Sequence, residues 1–206
     1  MTEKPRQRRT RKPVETRREE VLDAALDLVA EGGFSSLTME GIAREAGVSK
    51  PVVYAAYPDL DRLVIALVDR EHAQLIEAMA AVSETAKTLT GTKARLGAWL
   101  AGMADLVVRA PRPWIVMLVR PEDSPAYLRE TIRSGWEALR QQLGDTIGVT
   151  DDPERVFGTP DAELVTHLLT AMAEHFAALM LRDPDQFRAD RLLSFAAALA
   201  ERLVED

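Results

Sequence analysis

The 206-residue sequence contains no cysteine. Disulfides, thiolate nucleophiles and cysteine-held metals are therefore excluded. Histidine is nearly as scarce, with His72, His167 and His175 only. His167 and His175 lie two helical turns apart, but no carboxylate–histidine set has metal-ligand spacing. Paired interface histidines are the simpler account of them. Also missing are a Gly-rich phosphate loop, a nucleophile motif and a carboxylate pair in a catalytic setting. Neither an enzyme nor a metal or cofactor is expected. No apolar segment follows the basic start, so no secretory signal is expected, and the absence of cysteine suits a cytoplasmic protein. The most apolar stretch, Pro160 to Leu181, is interrupted by Glu163, His167, Glu174 and His175. A membrane span is rejected on that ground, and burial on several faces is expected instead.

What is present is distributed unevenly. The net charge is −7, which is wrong for a polyanion binder until it is divided. Residues 1–18 hold eight Lys/Arg against Glu3 and Glu15, a net +6, so the remainder carries −13. One end is suited to a polyanion and the other repels it. Residues 1–15 are polar, basic and interrupted by Pro5 and Pro13. They read as an arm that is solvated when alone and follows phosphates or enters a minor groove when DNA is present. An anionic membrane is a poor fit, because no apolar face accompanies the charges.

The segment Leu37 to Tyr57, LTMEGIAREAGVSKPVVYAAY, reads as two short helices joined by a tight turn. Thr38 can cap the first, with Ile42, Ala43 and Ala46 facing inward. Gly47 stands where the chain must enter the left-handed region, and Val48 plugs the angle between the helices. Ser49 can cap the second helix, and Pro51 occupies its first turn. Upstream, Thr16 and Glu19 fit a capping box. They start a helix with Val21, Leu22, Ala25, Leu28 and Val29 on one stripe, ended by Gly32-Gly33, with Phe34 turning into the small core. Two helices with this turn chemistry form a helix-turn-helix, whose second helix can enter a major groove.

The pattern carried by Leu37, Thr38, Ile42, Ala43, Ala46, Gly47, Val48, Ser49, Tyr54 and Tyr57 resembles the DNA-binding domain of the tetracycline-repressor (TetR) family. The resemblance covers residues 17 to 70, including the leading helix and the Gly-Gly-Phe junction. From chemistry, Lys50 can donate to guanine or phosphate, and Pro51 and Val52 can touch thymine methyls. Thr38 and the N–H groups behind it can bind a phosphate, with Ser49, Arg44 and Tyr57 as further DNA-binding positions. The resemblance implies that Tyr54 gives its hydroxyl to a phosphate. Both tyrosines could instead fill the small core. The chain departs from the family pattern at Leu60, where members carry a phosphate-binding Lys, and at Ala55 and Ala56, where bulkier or polar residues are frequent. The recognition surface is thus short of hydrogen-bonding groups, which shifts weight to the basic arm.

Beyond this motif, apolar periodicity predicts helices at about Asp59–Ala81, Lys93–Arg109, Trp114–Val119, Ser124–Leu143, Pro160–Leu181 and Asp183–Val204, with breaks at Ser83–Thr92 and Gly144–Gly158. The last helix carries two stripes, Leu192, Phe195, Leu199 and Leu203 beside Leu193, Ala196 and Ala200. Two such helices from each of two chains would form a four-helix homodimer interface. The resemblance implies that the helix after Pro58 links the two domains. It also implies that Trp99, Met103, Trp114, Met117, Tyr127, Trp136, Met172 and Phe176 lie on helices around a ligand cavity. The same residue types at helical spacing also serve as plain core. Asp105, Glu174, His167 or His175 could supply polar contacts to a mostly apolar or aromatic effector.

The expected protein is all-α. It has a basic arm (1–15), a three-helix helix-turn-helix domain (16–58) and a helical ligand-binding and dimerisation domain (59–206). As the resemblance implies, it would bind a palindromic double-stranded operator as a homodimer, with recognition helices about 34–36 Å apart, and be released by a small molecule. Two alternatives are a DNA-binding regulator without a small-molecule ligand, and a helical ligand-binding protein that no longer binds DNA.

Overall fold

The computed structural model describes residues 13–118, 126–148 and 162–203; the basic arm up to Lys12 and the Thr159–Pro160 cap lie outside them. All described regular structure is helical. The chain forms two compact units, one ending at Leu67 and the other beginning at Val68.

In the first unit, α1 spans Val14–Gly32, α2 Met39–Glu45 and α3 Lys50–Ala56, with a short 3-10 turn at Phe34–Ser36. Helix α1 starts earlier than the capping box predicts. Pro13 occupies the N-cap, and its carbonyl accepts from the Arg17 N–H at 3.2 Å. Thr16 therefore sits inside the helix. The core is Val21, Leu22, Ala25, Leu26 and Val29 from α1 with Ile42, Ala43, Val53 and Tyr57. Phe34 is half-buried at its edge.

The turn between α2 and α3 is built by its backbone. Gly47 has φ +63°. The Val48 N–H donates to the Ala43 carbonyl at 2.9 Å and the Gly47 N–H to the Arg44 carbonyl at 3.2 Å. This is a Schellman motif, which satisfies carbonyls that the helix end would otherwise leave open. A Cβ on Gly47 would meet nothing within 4 Å, so conformation alone selects glycine here. Gly47→Val should destabilise the first unit by about 1–2 kcal/mol, the cost of a left-handed non-glycine residue. Gly47→Asn should cost less, since Asn visits that region more readily. Denaturant melts followed by circular dichroism would check the order.

Helix α4, Leu60–Lys87, carries the chain from one unit into the other. Asp59 precedes it, and the Asp59 Oδ1 accepts from the Arg62 N–H at 2.7 Å. It passes through the predicted break, because Ser83 and Ala86 are fully buried. Packing there outweighs the low helix propensity of the Ser/Thr segment. The real break falls at Thr88–Gly91, where Gly91 has φ +89°.

The second unit continues with α5 (Thr92–Arg109), α6 (Pro111–Met117), α7 (Ala126–Ile147), α8 (Ala162–Arg182) and α9 (Ala189–Leu203). Helix α7 runs past Leu143 because Leu143, Thr146 and Ile147 are all buried, and it stops at Gly148, φ +72°. Asp183 does not start α9. Its Oδ1 accepts from the Gln186 N–H at 3.0 Å within a separate turn, and α9 begins at Ala189. Helix α5 lies against α7, α8 and α9, around Trp99, Leu100 and Met103. On α8, Val165, Leu169, Ala177 and Met180 are buried while Leu164 and Leu168 are 63% and 58% exposed. By length and composition alone α8 could cross a membrane, with a mean hydropathy of 1.4 over Glu163–Arg182. Its polar interruptions and the buried stripe match a core helix with a second apolar face.

Candidate nucleic-acid interface and apolar pocket

The outer surface of the helix-turn-helix follows from what its inner residues hold. Val53 and Ala56 bury one side of α3, which turns Tyr54 outward at 52% exposure. Thr38, Arg44, Ser49, Lys50 and Pro51 are exposed, and Val52 is half-buried. Thr38 caps α2, its Oγ1 accepting from the Gly41 N–H at 2.9 Å. The hydroxyl proton is left to donate elsewhere. Ser49 departs from expectation. Its backbone carbonyl accepts from the Val52 N–H at 2.9 Å, but its side chain makes no cap bond. Tyr57 departs too. It is 3% exposed and belongs to the core rather than to the outer face. The Arg18 guanidinium lies 4.6 Å from its ring centroid, a cation–π contact that holds a positive charge beside the end of α3.

Nothing in the residue pattern singles out Glu40. Its Oε2 accepts from Lys50 Nζ at 2.6 Å, which sets the first turn of α2 against the first turn of α3. The hydrogen bond and charge of Lys50, with a smaller contribution from Arg44, hold the Glu40 carboxyl below the usual carboxylate range. Ten residues separate the pair, a spacing with no helical meaning. Only the folded turn brings them together.

In the second unit, an apolar pocket lies among α5, α6, α7, α8 and α9. Of the residues expected to line a cavity, Met103, Trp114, Trp136 and Phe176 do so. Trp99 and Met117 are core residues outside the lining, at 0% and 2% exposure, and Met172 packs against the core without reaching the pocket. The Tyr127 side chain lies outside the described residues. Missed lining residues include Leu100, Leu139, Met180 and Leu192. They look like ordinary core in sequence, and only the packing of α9 on α5 separates wall from core. The cavity measures about 30 Å³, room for one or two waters. Glu174 is the charged member of the lining among the described residues. Partial burial pushes its carboxyl up, opposed by the charge of His175.

Residues 21–67 match the family model for bacterial regulatory proteins of the tetR family. These residues are those of a tetR-type DNA-binding domain, and the fold is that of TetR-like transcription regulators. Solved structures share the whole fold. One is a TetR-like transcriptional regulator from Rhodococcus sp. RHA1, 23% identical at TM-score 0.73, with 93% of this chain and 97% of that one covered. Another is FadR from Bacillus subtilis in complex with stearoyl-CoA, 20% identical at TM-score 0.69, covering 88% and 96%. The fatty acid degradation regulator FadR from Bacillus halodurans is 15% identical at TM-score 0.72, covering 93% and 96%.

For a tetR-type DNA-binding surface, the Glu40–Lys50 pair has a measurable consequence. Glu40 adds negative charge to the face and occupies Lys50. Glu40→Gln should raise affinity for non-specific duplex several-fold and steepen the salt dependence by about one ion per subunit. Fluorescence anisotropy with a labelled duplex across a salt series would measure both.

Proposed function

We propose that this chain is a homodimeric repressor of the TetR family that binds a palindromic operator and leaves it when a mostly apolar small molecule enters the second unit. The observation that carries the DNA half is the exposed first turn of α3 with Tyr54, set by the buried Val53 and Ala56. Lys50, Pro51 and Val52 are the base-contacting candidates; Thr38, Ser49, Arg44 and Tyr54 are the phosphate candidates. Tyr57 would contribute by bracing α3 and by seating Arg18.

The dimer proposal is supported by exposed apolar side chains. Leu164 and Leu168 on α8 and Phe195 on α9 are 58–63% exposed. A two-fold contact would bury them in a four-helix interface. Phe195 also packs edge-on against the pocket residue Phe176, with ring centroids 6.2 Å apart. Ligand entry would therefore move a side chain that belongs to the proposed interface. A cavity of about 30 Å³ is far below the roughly 300–1,000 Å³ of an occupied ligand site. Binding must then separate the helices that wall it, which gives the ligand a preference between two states. A coupling of roughly 1–3 kcal/mol would change operator affinity by about 5–150-fold. That the similar Bacillus subtilis FadR is solved in complex with stearoyl-CoA supports a ligand with a large apolar part.

The small cavity also favours a second reading, in which the second unit takes no small molecule and only holds the dimer. One experiment addresses both. DNA upstream of the chain's own gene is titrated with protein in a gel-shift assay and then challenged with hydrophobic compounds. Saturable binding by a dimer, reversed by a compound, is the expected result. Binding that no compound reverses would favour the second reading. A monomer that binds no upstream fragment at low salt would end the proposal.

A further inference from the structure

The cations of the first unit differ in what engages them. Arg17 is bonded to Glu20 at 2.8 Å and Lys50 to Glu40 at 2.6 Å. Arg44 lies within the field of Glu40. The Arg18 side chain forms no hydrogen bond or ion pair among the described residues; its guanidinium lies instead 4.6 Å from the centroid of the Tyr57 ring. Packing fixes both partners of this contact. Arg18 stands three and four residues before the buried Val21 and Leu22, so its stem leaves α1 on the packed face. The residue is exposed all the same, because a long stem can lie along apolar groups while its head reaches water. Tyr57 is 3% exposed, and its N–H donates to the Val53 carbonyl at 2.8 Å, which ties it to the last turn of α3. A cation is thus held beside the end of α3 with its N–H donors open.

We propose that Arg18, held on the Tyr57 ring, is a DNA-phosphate contact of this chain. The proposal rests on the DNA-binding reading above and deepens it. A guanidinium presents a planar fork of donors that matches two oxygens of one phosphate. The ring keeps the head in place before DNA arrives, which lowers the ordering cost of the contact. No carboxylate competes for it, whereas Lys50 is already engaged by Glu40. The chain that follows α3 supplies no nearby substitute. Between Tyr57 and Arg62 it offers Pro58, Asp59, Leu60 and Asp61, which are two acids and no cation. At this end of α3 the positive charge comes from α1, a helix that the residue pattern marks only as a brace. Tyr57, a core residue, would then serve DNA binding without touching DNA, by positioning Arg18.

The test uses the full chain and a labelled duplex of random sequence, with fluorescence anisotropy read across a salt series. Arg18→Gln should lower the slope of log K against log salt by about 0.9 per subunit and weaken binding about tenfold at physiological salt. Arg18→Lys should keep the slope, because it keeps the charge. Adding Leu60→Lys to Arg18→Gln returns a cation three residues past Tyr57 and should bring the slope back toward that of the unaltered chain. Arg18 is exposed, so its variants should fold; thermal melts would check this. A purely structural role for Arg18 would move the melting temperature and leave the slope alone. An unchanged slope in Arg18→Gln, at whatever melting temperature, would therefore overturn the proposal and leave the DNA-binding reading standing. Arg18→Lys losing as much slope as Arg18→Gln would overturn it too. Absence of saturable binding by the unaltered chain at low salt would overturn the DNA-binding reading itself and the proposal with it.

Discussion

Deleting residues 2–12 should weaken operator binding more than any single substitution in the helix-turn-helix. The segment carries Lys4, Arg6, Arg8, Arg9, Arg11 and Lys12. Each phosphate that the protein ceases to neutralise removes about 0.9 from the slope of log K against log salt. If three of these six cations meet phosphates in each subunit of a dimer, the slope falls by about 5 and affinity at physiological salt drops by about a hundredfold or more. The described surface proposed to face DNA cannot make up the deficit. Lys50 is engaged by Glu40, Arg44 lies within the field of the same carboxylate, and Leu60 stands where the family pattern has Lys. The deletion ends at Lys12 because α1 begins at Val14, so the fold keeps its first helix. Anisotropy titrations at several salt concentrations, with a thermal melt as control, give the answer. An unaltered slope would mean that the arm does not touch DNA.

Trp99→Ala should cost the second unit about 3–5 kcal/mol, the usual range for emptying a buried Trp site. Trp99 is 0% exposed and belongs to the main core cluster. Since whole domains are stable by only about 5–15 kcal/mol, the variant should approach unfolding at moderate temperature. Trp99→Phe should cost much less. It keeps most of the volume and removes an indole N–H with no partner among the described residues. Such an orphaned donor is itself unfavourable when buried. Trp136 provides the contrast. It is half-buried at the pocket wall, so Trp136→Ala should impair ligand binding more than stability. All three Trp follow Leu67, so tryptophan emission in a denaturant series follows the second unit alone. Equal destabilisation by Trp99→Ala and Trp136→Ala would show that core and pocket wall are not distinct.

The same contrast shows where sequence patterning stops. Periodicity marks Trp99, Met103, Trp114, Met117, Trp136, Met172 and Phe176 as inward-facing, because every buried helical position repeats at about 3.6 residues. It cannot separate those that meet other side chains from those that meet free space. That distinction depends on which helices cross at a given height, and no local spacing encodes it. Ser83 is a similar case. Its neighbourhood has the composition of a loop, yet burial keeps it helical. Tyr57 and Tyr54 have the same side chain and lie about one helical turn apart. Packing sends one into the core and leaves the other in solvent.

The residue pattern alone was enough for the all-helical class, the place of the Gly47 turn, the outward position of Lys50, and the division of charge between the first 18 residues and the rest. These are properties of single residues or of neighbours along the chain: a glycine's freedom at positive φ, a helical repeat, a count of charges. It took the packed chain to establish that Glu40 reaches Lys50, that Arg18 covers Tyr57, and that Met103, Trp114, Trp136 and Phe176 share one pocket. Each of those joins groups that are distant in sequence, and their energies depend on separation and burial in space.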